Sequence, residues 1–482
     1  MLLGGNNVVD SLRDWIEKVE KLGELKKGEG VHWDLEIGAL SDIVQKGVEK
    51  PALLFDSVPG YPKGYRVLAN PFSTLKRIAV TLNWPLEWKE EEMIAEWRRT
   101  FSNMDLIPHE TVDSGPVMEN VLIGDDINLL SFPTPKWNEK DGGRYIGTGC
   151  AVALKDPDSG WVNVGTYRVM VQDEKTASIF IVPGKQGDRI RKKYWDKGEN
   201  CPVAVSVGHH PIFLMVGGLE IGDDVCEYDF AGQLLGESIK TVNDPIYGLP
   251  VPADSEIVIV GEIPPDKRLE EGPFGEWMGY YAGGRRKEAV IDIKAIMHRD
   301  DPIILGAIPR IPPSDITFYR QAIRSGMVWD QLEKAGVPGV KGVWAHEAGG
   351  SRLMLIVSIE QQFPGHSKQA GLIASQCRTA TYNNRCVVVV DDDIDIFDTN
   401  EVLWAILTRA EPSEDIEILK KGWSSKVDPL SYPKGKHFYN SRMVIDACRS
   451  WERLEDFPEV VAPNPELRKN VLEKWGKTFG IN

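Results

Sequence analysis

The chain has 482 residues, of which 42% are hydrophobic and 27% charged, the composition of a globular protein of roughly three domains. Its 56 Lys and Arg against 72 Asp and Glu give a formal net charge of −16. That balance argues against nucleic acid or an anionic membrane surface as the main partner, while leaving room for a local basic pocket. The opening residues lack a basic region followed by a long apolar one, and apolar runs such as Ile212 to Val216 are too short to span a bilayer. With six scattered cysteines and no CxxC pair, the expectation is a cytoplasmic protein with reduced thiols and no membrane insertion.

Ser11 to Asp14 reads as a capping box opening a helix whose apolar positions are Leu12, Trp15, Ile16, Val19 and Leu22, with Gly23 as the stop. Ala52 to Phe55 reads as a short buried strand. This first α/β unit closes near the Pro-rich stretch 107–116. The middle third is rich in short strands: Cys150 to Leu154, Val162 to Val171, Val203 to Val207, Glu256 to Ile263 and Glu288 to Met297. The last two alternate apolar and polar residues, predicting half-buried antiparallel strands in a small or split barrel. The last third returns to α/β. Val387 to Val390 is a β-branched run suited to a parallel sheet. A helix follows at Thr399/Asn400 with Val402, Leu403, Ile406 and Leu407 on its apolar face, and 465–476 predicts a polar amphipathic tail helix.

The chemistry concentrates in Glu271-Gly-Pro-Phe-Gly-Glu276, followed by Trp277-Met-Gly-Tyr-Tyr281. Two carboxylates on a turn that Pro273 and two glycines keep out of a helix can serve proton transfer, one moving the proton and one orienting a partner. A second stretch, Asn163-Val-Gly-Thr-Tyr-Arg168, puts an amide and a guanidinium five residues apart on a predicted strand, Trp161 to Met170. Residues five apart on a strand face opposite sides, so a bulge or strand end must bring both to one site. The adjacent His209 and His210 read as structural. Asp391 to Asp398 lacks the glycine and glutamate of an EF-hand loop and reads as strand-end and helix-capping chemistry. No phosphate-loop, dinucleotide-binding or GxSxG motif is present.

The acid loop resembles the signature loop of the UbiD family of (de)carboxylases, which use a prenylated flavin. The resemblance extends to Gly23-Glu24-Leu25, Pro51 to Phe55, Pro364-Gly365-His366, Val389 to Asp398, Trp404-Ala405 and Arg409. It implies an α+β fold in three parts: an N-terminal α/β domain (1–115), a split β-barrel domain binding prenylated FMN (116–310), and a C-terminal α/β oligomerisation domain with a terminal helix (311–482). It also implies Arg168, Glu271 and Glu276 as the catalytic trio. The cofactor-binding residues would be Asn163, Thr166, Tyr167, Arg168, Lys185, Gln186 and Glu227. Asn163, Gln186 and Glu227 would hold a divalent metal (Mn2+ or Mg2+), and the resemblance also admits K+.

Here the chain departs from its relatives, because Gln186 stands where they have a histidine. A glutamine carbonyl suits a hard ion and drops the preference for softer metals. Either all-oxygen ligation holds the metal, or Lys185 takes over part of the phosphate charge. The implied reaction is reversible, non-oxidative decarboxylation of an aromatic or α,β-unsaturated acid, with CO2 as the other partner. A flavin prenyltransferase would supply the cofactor, and the chain would form a homo-oligomer, a dimer or hexamer. Two alternatives stay open at this point: an FMN oxidoreductase on the same scaffold, and a partner-dependent subunit of a carboxylase complex.

Overall fold

The computed structural model describes residues 9–219, 221–430 and 438–481. Three main sheets carry the fold. The first runs Leu25–Glu29, Ala52–Asp56, Arg66–Ala69, Ile303–Gly306. Its fourth strand lies near the end of the middle third of the chain and returns to pair in parallel with Arg66–Ala69. The opening helix, Leu12–Lys21, covers this sheet, burying Leu12, Trp15, Ile16 and Val19. The Trp15 indole donates to Thr81 Oγ1 at 2.9 Å, so the large ring is buried with its polar edge satisfied. Ser11 caps the helix as expected, accepting from the Asp14 amide. The Asp14 carboxylate returns to the Ser11 hydroxyl (2.6 Å), so the box closes through side chains.

The second sheet has ten strands. Its spine runs Tyr145–Gly147, Arg168–Val171, Thr176–Phe180, Arg286–His298, Ile257–Ile263, Cys201–Val207, Ala151–Lys155, Val162–Gly165, with Arg268–Glu271 and Asn120–Ile123 also pairing to the long strand Arg286–His298. It curls into a half-barrel, in keeping with the expected split barrel. The expected strand Trp161 to Met170 is broken at Thr166 and Tyr167 into two pieces, which sit toward opposite ends of the spine.

Strand Ile257–Ile263 corrects the half-buried expectation. Ile257 to Val260 are buried on both faces. Val258 and Val260 point into one core and Ile257, Ile259 and Ile263 into another, so alternation here separates two cores rather than core from water. The polar residue heading this segment, Glu256, is itself buried and pairs with Arg13 (2.8 Å).

The third sheet orders Val340–Ala345, Met354–Ile359, Cys386–Asp391, Tyr439–Ala447, Ile416–Trp423, its three middle strands parallel. Val387 and Val389 face one core and Val388 and Val390 another. The aspartates after this strand do what the sequence predicts. Asp391 and Asp393 bind Arg409, and Asp398 caps the helix Thr399–Arg409. On that helix Val402 and Ala405 are buried, whereas Leu403 and Leu407 are 45% and 81% exposed, so the predicted apolar face is only half right. No helix among the described residues is long and apolar enough to cross a membrane. All six cysteines are free.

Candidate active site

The break at Thr166–Tyr167 is what assembles the site. Asn163 lies on the strand before it and Arg168 opens the strand after it. At the break the Thr166 amide bonds to the Gly217 carbonyl (3.1 Å), outside the ladder. The Tyr167 ring folds back over Gly165, where a Cβ would fall 2.5 Å from the ring, so only glycine fits. Its hydroxyl reaches Asn163 Oδ1 at 3.5 Å and accepts from the Gly187 amide at 3.3 Å.

One cluster is an arginine between two acids. Arg168 Nε and Nη2 donate to the two oxygens of Glu271 (2.8 and 2.9 Å), and Nη1 donates to Glu276 Oε1 (3.0 Å). Glu271 ends the strand Arg268–Glu271 and is wholly buried. Gly272, at φ +83°, then turns the chain toward Pro273, a backbone position that other residues rarely adopt. The Tyr145 hydroxyl donates to Glu271 Oε1 (2.9 Å).

Burial pushes the Glu276 carboxyl above the usual carboxylate range, against the pull of Arg168. Burial opposes the Arg168 charge, but Glu276 and Glu271 outweigh it and hold the guanidinium more firmly protonated than usual. Phe274 is buried against this cluster, 5.3 Å from the Arg168 carbon, whereas Trp277 turns away toward Gly350 and Arg352.

The other cluster brings together Asn163, Gln186 and Glu227. Asn163 Nδ2 donates to Glu227 Oε1 (2.9 Å) and approaches Gln186 Oε1 (3.4 Å), and the Val164 amide donates to Glu227 Oε2 (2.7 Å). Gln186 is the first residue of the helix Gln186–Asp196, so the cluster faces a helix N-terminus, with Lys185 at the cap position. Glu227 opens another helix and is buried, and burial raises its carboxyl to about 8. No ion pair joins it to a cation among the described residues. An acid in that state, with the Asn163 and Gln186 side-chain amides grouped around it, fits a divalent cation. The Thr166 hydroxyl is buried with no hydrogen-bond partner among the described residues, next to the bare backbone of Gly217. That unmet group fits a polar ligand entering beside the cluster.

Sequence reasoning missed four residues here. Tyr145, Phe180, Arg286 and Lys426 all reach the acid–arginine cluster. Gly283-Gly284-Arg285-Arg286, ten residues past Glu276, was a readable signal for one of them. The other three arrive by tertiary folding and leave no local mark. His209 and His210 are buried with their Nδ1 atoms bonded locally, and burial pushes them down to about 4 and about 3. The structural assignment of both stands.

Comparison with known proteins puts a chain of this fold among the carboxy-lyases of the UbiD class. The chain belongs to that family. The models of the 3-octaprenyl-4-hydroxybenzoate carboxy-lyase N-terminal, Rift-related and C-terminal domains match residues 16–96, 110–312 and 317–447. A phenolic acid decarboxylase of Streptomyces sp. (strain D7) is 30% identical, over 91% of this chain and 92% of its own.

Among solved structures, the UbiD-class enzyme HmfF from Pelotomaculum thermopropionicum in complex with FMN is 30% identical, with a TM-score of 0.82 over 95% of this chain and 98% of that one. An evolved dimeric form of HmfF is in complex with prFMN (29%, TM-score 0.81, 95% and 98% covered). The vanillic acid decarboxylase of Sedimentibacter hydroxybenzoicus in open form is 28% identical, with a TM-score of 0.86 over 98% and 99% of the two chains.

Proposed function

We propose that this chain catalyses reversible, non-oxidative decarboxylation of an aromatic or α,β-unsaturated acid with prenylated FMN. The observation that carries the reading is the buried network in which one guanidinium bridges Glu271 and Glu276. Losing CO2 from an sp2 carbon leaves charge that no side chain can absorb, and the prenylated flavin, when bound, supplies the electron sink.

The protein's part is positioning and proton transfer. Arg168 faces the substrate carboxylate, its orientation fixed by the two-point contact with Glu271, which Tyr145 holds in turn. Glu276, its carboxyl raised by burial, is the group placed to deliver a proton to the carbon that CO2 leaves; in carboxylation it takes that proton back. Asn163, Gln186 and Glu227 would hold Mn2+ or Mg2+ against the cofactor's phosphate, with Thr166, Tyr167 and Lys185 beside it. All-oxygen ligation then selects a hard ion despite the absent histidine.

The tail helix, Pro465–Phe479, presents Leu467, Val471, Trp475 and Phe479 on one exposed stripe, which supports homo-oligomer formation. A flavin prenyltransferase is the expected supplier of the cofactor. Mass spectrometry of the ligand retained after anaerobic reconstitution with reduced prenylated FMN and Mn2+ tests the reading. Retained prenylated flavin with metal is the expected result. Retention of unmodified FMN with NADH turnover would replace the reading with an oxidoreductase.

A further inference from the structure

The arginine assigned to the substrate is already heavily engaged: each nitrogen of Arg168 donates to Glu271 or Glu276. Beside it lies a second guanidinium in the opposite condition. Arg286 pairs across the ladder with Glu271, and its Nε comes within 4.0 Å of that carboxylate. Its Nε is taken up by an ion pair with Glu288, whereas Nη1 and Nη2 are buried without a hydrogen bond among the described residues. Buried guanidinium N–H groups left unmet are costly, so the arrangement favours an acceptor arriving from outside the protein.

The position of Arg286 says where that acceptor would sit. Its carbon stacks 3.9 Å from the centre of the Phe180 ring, and the Arg168 carbon lies 4.7 Å from the same centre. A Cβ placed on Gly283 would be 3.3 Å from Arg286 Nη1 and 3.4 Å from Glu276 Oε1, so the unbonded end of that guanidinium and the Glu276 carboxyl border one bare stretch of backbone.

A third cation completes the group. Lys426, from the segment after strand Ile416–Trp423, places Nζ 4.9 Å from the Phe180 ring centre. It makes no ion pair among the described residues, and burial and then Arg286 push its ammonium below the usual lysine range. The charges near Phe180 are therefore Arg168, Arg286 and Lys426 against Glu271, Glu276 and Glu288.

We propose that Arg286 and Lys426 form, with Arg168, the clamp that holds the substrate carboxylate beside Glu276, Arg286 supplying the unengaged N–H pair. This deepens the decarboxylase reading and rests on it for the identity of the ligand, an aryl carboxylate. Lys426 comes from the C-terminal third of the chain, so the clamp draws on two parts of the fold.

The test is binding of benzoate against its neutral isostere benzamide to the flavin-loaded protein, by calorimetry. Arg286→Gln should weaken benzoate about tenfold or more and leave benzamide unchanged, a loss of about 1.4 kcal/mol or more. Lys426→Gln should produce a smaller loss of the same kind and, lying on a half-buried surface segment, serves if Arg286→Gln does not fold. Arg286→Lys should recover part of the benzoate affinity, and flavin retention should be unaltered in all three. Equal effects on acid and amide, parallel loss of flavin, or no benzoate binding by the wild-type protein would each overturn the clamp. None of these outcomes touches the decarboxylase reading, which fails separately if the loaded wild-type protein releases no CO2.

Discussion

The two ends of the site hold buried carboxylates in opposite circumstances. At one end Glu271 and Glu276 share Arg168, with donors aimed at both oxygens of Glu271 and at Oε1 of Glu276. At the other, Glu227 is equally buried but surrounded by amides, with its carboxyl raised to about 8. The acids of the first have their cation within the chain, whereas that of the second pairs with none among the described residues. Burial alone therefore does not define an acid's role: where the compensating charge is built in, the acid can act on a substrate, and where it is missing, the acid can bind an ion.

The sharpest way to break this contrast is Arg168→Ala. Removing the shared guanidinium takes from Glu271 its two-point partner and leaves only Arg286 at 4.0 Å, which should cost about 3 kcal/mol of stability as well as the activity. Thermal unfolding of the flavin-free protein would register it, and an unchanged midpoint would mean the network is not what organises this end. Glu276→Gln should keep the fold and lower the decarboxylation rate by about 10²–10⁴-fold, because only the transferable proton is lost. Single-turnover CO2 release at saturating acid separates that loss from weaker binding.

At the other end Glu227→Gln should lower Mn2+ affinity by about 10–100-fold in a calorimetric titration. An equal affinity in the variant would remove Glu227 from the ligand set. Gln186→His, in the same titration, should shift preference toward softer ions such as Zn2+.

The smallest expected effect concerns pH. Glu276 must be protonated to donate, and its folded carboxyl lies above the ordinary range, so that protonated fraction persists at low pH and is lost as pH rises through the raised value. The wild-type decarboxylation rate should therefore fall on the alkaline side, while the residual rate of Glu276→Gln should lack that limb.

The acid end was easier to read in the sequence than the ion end, and for a physical reason. Glu271 and Glu276 lie on one turn whose Gly and Pro residues are visible locally, whereas Asn163, Gln186 and Glu227 meet from a strand and two helices. The need for a strand irregularity between Asn163 and Arg168 was legible from their odd spacing. The outcome, a full break closed by Gly165 and Tyr167, depends on a ring packing that spacing does not encode.

Strand Ile257–Ile263 misled through its alternation, because a pattern of period two cannot distinguish water from a second core. Leu403 and Leu407 misled in the reverse sense: helical spacing marks an apolar face but not which part of it the monomer covers. Arg286 and Lys426 converge on Phe180 from distant segments and could only be joined by the fold.

The most direct test of the central claim is isotope exchange. The protein reconstituted with prenylated FMN and Mn2+ would be incubated with aromatic acids in 13C-bicarbonate, and label entering the carboxylate read by mass spectrometry. Exchange by the wild-type protein, slowed at least about a hundredfold in Glu276→Gln, is the predicted result. Exchange at equal rates in both proteins, or none with any acid despite bound prenylated flavin, would contradict the account.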